Sequence, residues 1–224
     1  MIRHIVWDWN GTLFDDQALV VDATNASLRA IGVDRHITNE RYQELYRRPM
    51  EEFYAELVGF PVADEQWPAL DVAFTGHYRT HVRDCGLNKD ALAAMDAWSA
   101  QVPPPRSQSL LSMYGHTALL KLTGEFELHP RFHRIDGRPE DPDFGPKAKY
   151  LVRHFEHLRT EDPALTADQI ALIGDCADDA HAAFHIGATA VLFTGGSSSR
   201  AVLEKVGVPV VDSLTEAVAL LAAR

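Results

Sequence analysis

The chain opens with a short apolar run, Ile5-Val6-Trp7, rich in β-branched and aromatic character and ending at Asp8. Such a run predicts a strand buried on both faces. The Asn10-Gly11 pair beyond it predicts a tight turn. From Asp15 to about Cys85 the period becomes helical. Leu19, Val20, Ala23, Ser27, Leu28 and Ile31 form one stripe, ended by Gly32. Tyr42, Leu45 and Tyr46 follow a start signal at Thr38-Asn39-Glu40. Met50, Phe53, Leu57 and Val58 continue beyond Pro49, and Trp67, Leu70, Phe74, Tyr78 and Val82 mark a last helix. No strand period is visible in this block, which predicts a helical bundle inserted directly after the first strand.

After Gly86 the pattern alternates. Helical stretches are predicted at 89–98, through Leu119, Leu120 and Leu122, at 147–158, near 179–185, at 201–206 and at 214–221. Strand-like runs are predicted at 108–113, 132–135, 170–174, 189–193 and 209–211. Val102-Pro103-Pro104-Pro105 reads as a stiff connector, and the Pro-, Asp- and Gly-rich segment 137–146 as a loop. Alternating strands and helices predict a three-layer α/β core, a Rossmann-like parallel sheet covered on both faces. The domain division expected is 1–14 with 86–224 as the α/β core, and 15–85 as an all-helical unit.

Composition narrows the partners. The formal net charge is −11, which argues against nucleic acid or an anionic membrane, since phosphate-rich surfaces need a basic face. A phosphorylated ligand would therefore need a local cation or a few well-placed Lys and Arg. Cys85 and Cys176 are far apart and form neither a CxxC nor a disulfide framework, as expected in a reducing cytoplasm. No apolar run approaches a membrane span and the N-terminus shows no signal-peptide pattern, so a soluble cytoplasmic protein is expected.

Three polar positions fall at, or just after, the ends of predicted parallel strands: Asp8, Ser112 and Asp175. Right-handed crossovers put strand ends of one sense on a single edge of the sheet, so these groups converge although distant in sequence. That edge is where α/β proteins bind ligands. Lys147 begins a helix after a glycine-containing loop, with Lys149 as competitor. Asp179 lies in the helix after Gly174-Asp175, with Asp178 as competitor; spacing favours Asp179.

Taken together, Asp8-Trp9-Asn10-Gly11-Thr12, Leu110-Leu111-Ser112, Lys147 and Gly174-Asp175-Cys176-Ala177-Asp178-Asp179 resemble the haloacid dehalogenase superfamily. The resemblance is to the branch with a helical cap and, within it, to phosphoglycolate-phosphatase-like hydrolases. It implies that Asp8 is a nucleophile attacking phosphorus to form an aspartyl phosphate. It implies that Asp8, Asp175 and the backbone carbonyl of Asn10 hold Mg²⁺, supported by Asp179. Ser112 and the backbone N–H groups of Gly11 and Thr12 would donate to phosphoryl oxygens, and Lys147 would neutralise transition-state charge. The stripe Leu151, Phe155 and Leu158 matches the family's helix best with Lys147 at its start. The 15–85 unit would be the cap, closing over the strand-end crevice. The substrate implied is a small phosphorylated metabolite, turned over by a monomer or homodimer.

The chain departs from the family at residue 10. Most of these phosphatases carry a second Asp there, which protonates the leaving oxygen and then activates water. Asn10 cannot exchange a proton, and general acid–base catalysis is typically worth ~10²–10⁴-fold. The readings compatible with this are a Mg²⁺-dependent phosphomonoesterase that is slow, or whose substrate has a good leaving group or supplies its own proton relay, a phosphotransferase, and an impaired phosphate-binding or regulatory protein. Arg48, in the Arg47-Arg48-Pro49 turn, could face the substrate or simply solvent. The i,i+4 pairs His77/His81, His181/His185 and His129/His133 read as surface or core histidines. The segment from Gly195 to Arg200 reads as an ordinary loop, and Trp7 and Trp9 as core packing on one face.

Overall fold

The computed structural model describes residues 1–101, 106–139 and 145–223. The predicted connector at 102–105 and the middle of the predicted loop, 140–144, lie outside them. Six strands form one parallel sheet: β1 (His4–Trp7), β4 (Ser107–Gly115), β5 (Ile135–Arg138), β6 (Ile170–Gly174), β7 (Thr189–Phe193) and β8 (Val210–Val211). Their order is β5-β4-β1-β6-β7-β8, with every pairing parallel.

The sheet explains the apolar runs. β1 lies between β4 and β6, so residues of both parities must be buried. Ile5 and Trp7 enter one core with Ile173, Val191 and residues of α5 (Ala91–Ser99), α6 (His116–Glu125) and α10 (Leu214–Ala222). Val6 points the other way, into a core with Leu172, Leu192 and residues of α7 (Lys147–Glu161), α8 (Ala177–Ile186) and α9 (Arg200–Leu203). Each fully buried Leu or Ile on these faces contributes about 1.5–3 kcal/mol.

Between β1 and β4 come α1 (Gln17–Ala30), α2 (Asn39–Leu45), α3 (Met50–Val58) and α4 (Trp67–His81). They share an apolar cluster of their own, with Leu28, Phe53, Leu57 and Leu70 at its centre. Leu19, Ala23, Tyr78 and Val82 join this segment to the first sheet-face core. Two short strands that the sequence pattern does not reveal flank it. These are β2 (Phe14–Asp15) and β3 (Gly86–Leu87), paired antiparallel. β5 also differs from its prediction at 132–135. It begins at Ile135 and carries Asp136, Gly137 and Arg138, a polar composition tolerated because it is the edge strand.

One buried polar chain fixes α7 against the sheet. The Ser107 hydroxyl and the Ser109 hydroxyl each lie 2.7 Å from a ring nitrogen of His4. Ser109 Oγ is also 2.7 Å from His154 Nε2, and His154 Nδ1 is 2.7 Å from Asp136 Oδ2. Arg134 pairs with the same Asp136 oxygen. Burial holds both imidazoles below their ordinary pKa, His4 down to about 3. This chain ties α7 to β1, β4 and β5.

Candidate active site

Asp8 leaves β1 at its C-terminal end, where its N–H donates to the Ile173 carbonyl at 2.9 Å. Asp175 leaves the neighbouring β6, so both carboxylates stand on one edge of the sheet. α7 brings Lys147 to the same place. Its ammonium donates to Asp8 Oδ1 and to Asp179 Oδ1, each at 2.5 Å. Lys147 is 2% exposed and Asp179 fully buried, whereas Lys149 points outward. Lys147 and Asp179 thus lie in this buried cluster, while Lys149 is exposed and Asp178 pairs with Arg48.

Asp179 also ties the loop after β6. Its Oδ2 accepts from the N–H groups of Asp175 and Cys176 and from the Cys176 thiol, each at 3.1 Å. A Cβ on Gly11 would come 2.5 Å from Asp175 Oδ2, and Gly11 has φ +69°, so only glycine fits this close approach. Ser112, 1% exposed, donates from Oγ to Asn10 Oδ1 at 3.4 Å and accepts from the Tyr114 N–H at 3.0 Å.

The charge balance of this cluster is its main property. Asp8, Asp175 and Asp179 are three buried carboxylates, against the single ammonium of Lys147. Burial pushes the Asp8 carboxyl well up, with Asp179 and Asp175 adding to the rise and Lys147 opposing it. Burial, with Asp179, lifts Asp175 to about 6. Burial works against the Lys147 ammonium, but Asp179 and Asp8 outweigh it and hold its pKa above the ordinary value. Excess buried negative charge from hard oxygen donors suits a divalent cation. Asp175, Cys176 and Asp179 each offer an atom within 4.8 Å of the others. Burial raises the Cys176 thiol well above its usual range, so it stays protonated and is the poorest donor of that set. Among the described residues, none of the histidine pairs assembles such a group.

Residues 146–217 match a hydrolase family model described as HAD-hydrolase-like. Solved structures align over the whole chain. A predicted phosphatase from Clostridium acetobutylicum superposes with TM-score 0.82 at 15% identity, covering 100% of both chains. The chain has a haloacid-dehalogenase-like fold. A predicted phosphoglycolate phosphatase from Haemophilus somnus gives TM-score 0.74 at 14% identity, covering 98% of this chain and 97% of that one. Protein tyrosine kinase A from Mycobacterium tuberculosis gives 0.77 at 18% identity, covering 98% of each. No curated protein shows significant similarity. Since one haloacid-dehalogenase-like fold carries names of different activities, function has to be argued from the site.

Several details of the site differ from expectation. The N–H groups of Gly11 and Thr12, expected to meet phosphoryl oxygens, are committed within their own turn. Gly11 donates to Phe14 O at 3.0 Å and to Asp16 Oδ1 at 2.9 Å, and Thr12 donates to Trp9 O at 3.1 Å. The donor left at Thr12 is its hydroxyl, which is buried without a hydrogen-bond partner among the described residues. Arg48 reaches Asp178 beside the site, Nε to carboxylate 3.7 Å. The loop after β7 is not incidental: Ser197 N–H donates to Asp175 Oδ2 at 2.5 Å, and a Cβ on Gly196 would collide with that same carboxylate. Gln43 of α2 holds this loop through the Gly196 carbonyl at 2.6 Å. Asp16 and Tyr78, both hydrogen-bonded to Asn10, carry no motif, and the sequence pattern marks Tyr78 only as a position on a helical stripe.

Proposed function

We propose that the chain is a magnesium-dependent phosphatase of small phosphomonoesters, working through an aspartyl phosphate on Asp8. The observation that carries this reading is the buried surplus of carboxylates at the strand-end edge, answered by one lysine. Structural carboxylates gain nothing from such crowding, whereas a site that receives a cation and an anionic phosphoryl group requires it. Magnesium, held by Asp8, Asp175 and the backbone carbonyl of Asn10 with Asp179 in support, would offset repulsion between Asp8 and the incoming phosphoryl group.

The chain's own residues divide the remaining work. Asp8 attacks phosphorus, and the bond to the leaving oxygen breaks as the Asp8–phosphorus bond forms. Lys147, fixed between Asp8 and Asp179, orients the nucleophile and meets the charge that spreads over the phosphoryl oxygens. Ser112 and the Thr12 hydroxyl are the neutral donors available to those oxygens. Water then attacks phosphorus, releasing inorganic phosphate and restoring the Asp8 carboxylate. Helices α1–α4 act as a cap over the edge, with Gln43 and Arg48 reaching down to it. The free thiols Cys85 and Cys176 accord with a reducing, cytoplasmic setting.

Asn10 favours a second reading, a phosphotransferase or a phosphate-binding regulator, because it removes the usual proton carrier. Assay with an activated aryl phosphate in the presence and absence of Mg²⁺ separates the two. Mg²⁺-dependent turnover that Asp8→Asn abolishes supports the phosphatase. No turnover in the wild type, with clear gain in Asn10→Asp, supports the regulator.

A further inference from the structure

The Asn10 amide has a fixed sense. Nδ2 donates to Asp16 Oδ2 at 2.7 Å and lies 2.9 Å from the Tyr78 hydroxyl, so the nitrogen side of the amide faces this pair. Tyr78 donates to the same Asp16 oxygen at 2.6 Å, and Gly11 N–H holds the other at 2.9 Å. Asp16 is 1% exposed and Tyr78 6%. Turning the amide over would set Oδ1 against the Asp16 carboxylate, acceptor facing acceptor in a buried place. What Asn10 turns toward Ser112 is therefore its oxygen.

An amide oxygen accepts protons' bonds but gives none away. Asp16, the carboxyl group nearest to residue 10, lies behind the Nδ2 side of that amide. Lys147 is occupied by Asp8 and Asp179. Among the described residues, the partner on the Oδ1 side of Asn10 is the Ser112 hydroxyl, too weak an acid to give its proton up to a departing oxygen.

Resting on the phosphatase reading, we infer that the site serves phosphoryl donors whose leaving group departs as a stable anion. These are phosphate esters of phenolic or enolic hydroxyls, and mixed anhydrides of phosphate with a carboxylic acid, in preference to esters of alkyl alcohols. In the first step an Asp8 oxygen bonds to phosphorus while the phosphorus–oxygen bond to the leaving group breaks. The electron pair leaves on that oxygen as phenolate, enolate or carboxylate, with no proton supplied by the protein. In the second step a water oxygen bonds to phosphorus, the Asp8–phosphorus bond breaks, and the proton passes to solvent. With the Asp16 carboxylate held on the far, Nδ2 side of the residue 10 amide, no base meets the attacking water there, so this step is the slower and the aspartyl phosphate accumulates.

The test is a series of substrates on the full chain with Mg²⁺: aryl phosphates of graded phenol acidity, acetyl phosphate, and glycerol phosphate. The expected result is a kcat/KM that falls with leaving-group basicity, by ~10³-fold or more between the most acidic phenol and glycerol phosphate. A burst of phenol release should precede the steady state. The exchange Asn10→Asp with Asp16→Asn keeps one carboxylate and one amide in the pair. It should raise turnover of glycerol phosphate by ~10²-fold or more relative to that of the most acidic aryl ester. Glycerol phosphate turned over within about tenfold of the best aryl ester by the wild type would overturn the inference while leaving the phosphatase reading standing. So would a flat wild-type profile that Asp16→Asn makes steep, since Asp16 would then be the acid. The wild-type series decides the matter even if the exchanged variant fails to fold. Absence of Asp8-dependent turnover on every substrate, acetyl phosphate included, sinks both readings together.

Discussion

Lys147 and His154 lie on one buried face of α7, and each belongs to a buried polar network. The His154 network contains Ser109, His154 and Asp136 at 2.7 Å spacings, the order and distances of a nucleophile–base–orienter triad. The Lys147 network contains carboxylates crowded around an ammonium. Only the second has the marks of a site. Ser109 and His154 are fully buried between sheet and helix, every hydrogen bond has its partner, and the histidines are held neutral by burial. At the strand-end edge, by contrast, three carboxylates face one ammonium, and Asp8 retains 8% exposure. Triad geometry without access or unbalanced charge is a structural brace. Unbalanced charge at the ligand-binding edge of a parallel sheet needs something from outside.

This contrast can be broken at either end. The largest effect is expected for Asp8→Asn, which should lower turnover of an activated aryl phosphate by ~10⁴-fold or more while leaving the fold intact. Retained activity would move the nucleophile elsewhere. Lys147→Met comes next. It strands Asp8 and Asp179 without their cation, so denaturant unfolding in EDTA should show a loss of about 3–5 kcal/mol. Mg²⁺ should return part of that loss; no recovery would mean that the cluster does not take up the ion.

The two networks also respond to pH with opposite sign. His4, near 3 when folded, titrates close to 6.5 when unfolded. Its contribution is complete above about pH 6.5 and is lost as pH falls toward 3, because the unfolded chain binds the extra proton. Asp175, at about 6 when folded, lies above its unfolded value of 3.8. It weakens the fold above pH 6, and that penalty fades as pH falls toward 3.8. Replacing His4 by Gln should therefore flatten the stability loss between pH 7 and 4.5 by roughly 2–3 kcal/mol, read from urea unfolding at both values. An unchanged slope would show that His4 is not held neutral. The smallest effect sharpens the comparison most. Ser109→Ala should cost about 1–3 kcal/mol through the ring nitrogens it leaves unpartnered, yet leave kcat unchanged. A lowered kcat at full folding would make the brace part of the catalytic machinery.

The difference between the two networks also sets what could be read before folding. Asp8 and Asp175 each follow a continuous apolar run, so local sequence marks both the strand and its end. Lys147 could be separated from Lys149 only by the stripe of α7 below it. Asp16 and Tyr78 were not legible, since Tyr78 occupies a core-like position on a helical stripe and meets Asn10 only through tertiary packing. The Gly196-Ser197 contact with Asp175 and the two-residue strands β2 and β3 are likewise products of chain closure. The polar β5 carries no period-2 signal, and its place at the sheet edge explains why it needs none.

The most direct test of the central claim is to trap the covalent state. The chain is mixed with acetyl phosphate and Mg²⁺, quenched in acid, digested and examined by mass spectrometry. The account predicts a phosphoryl group on the peptide bearing Asp8, lost on treatment with hydroxylamine and absent when EDTA replaces the metal. A phosphoryl group on any other residue, or none under conditions where phosphate is released, would contradict it.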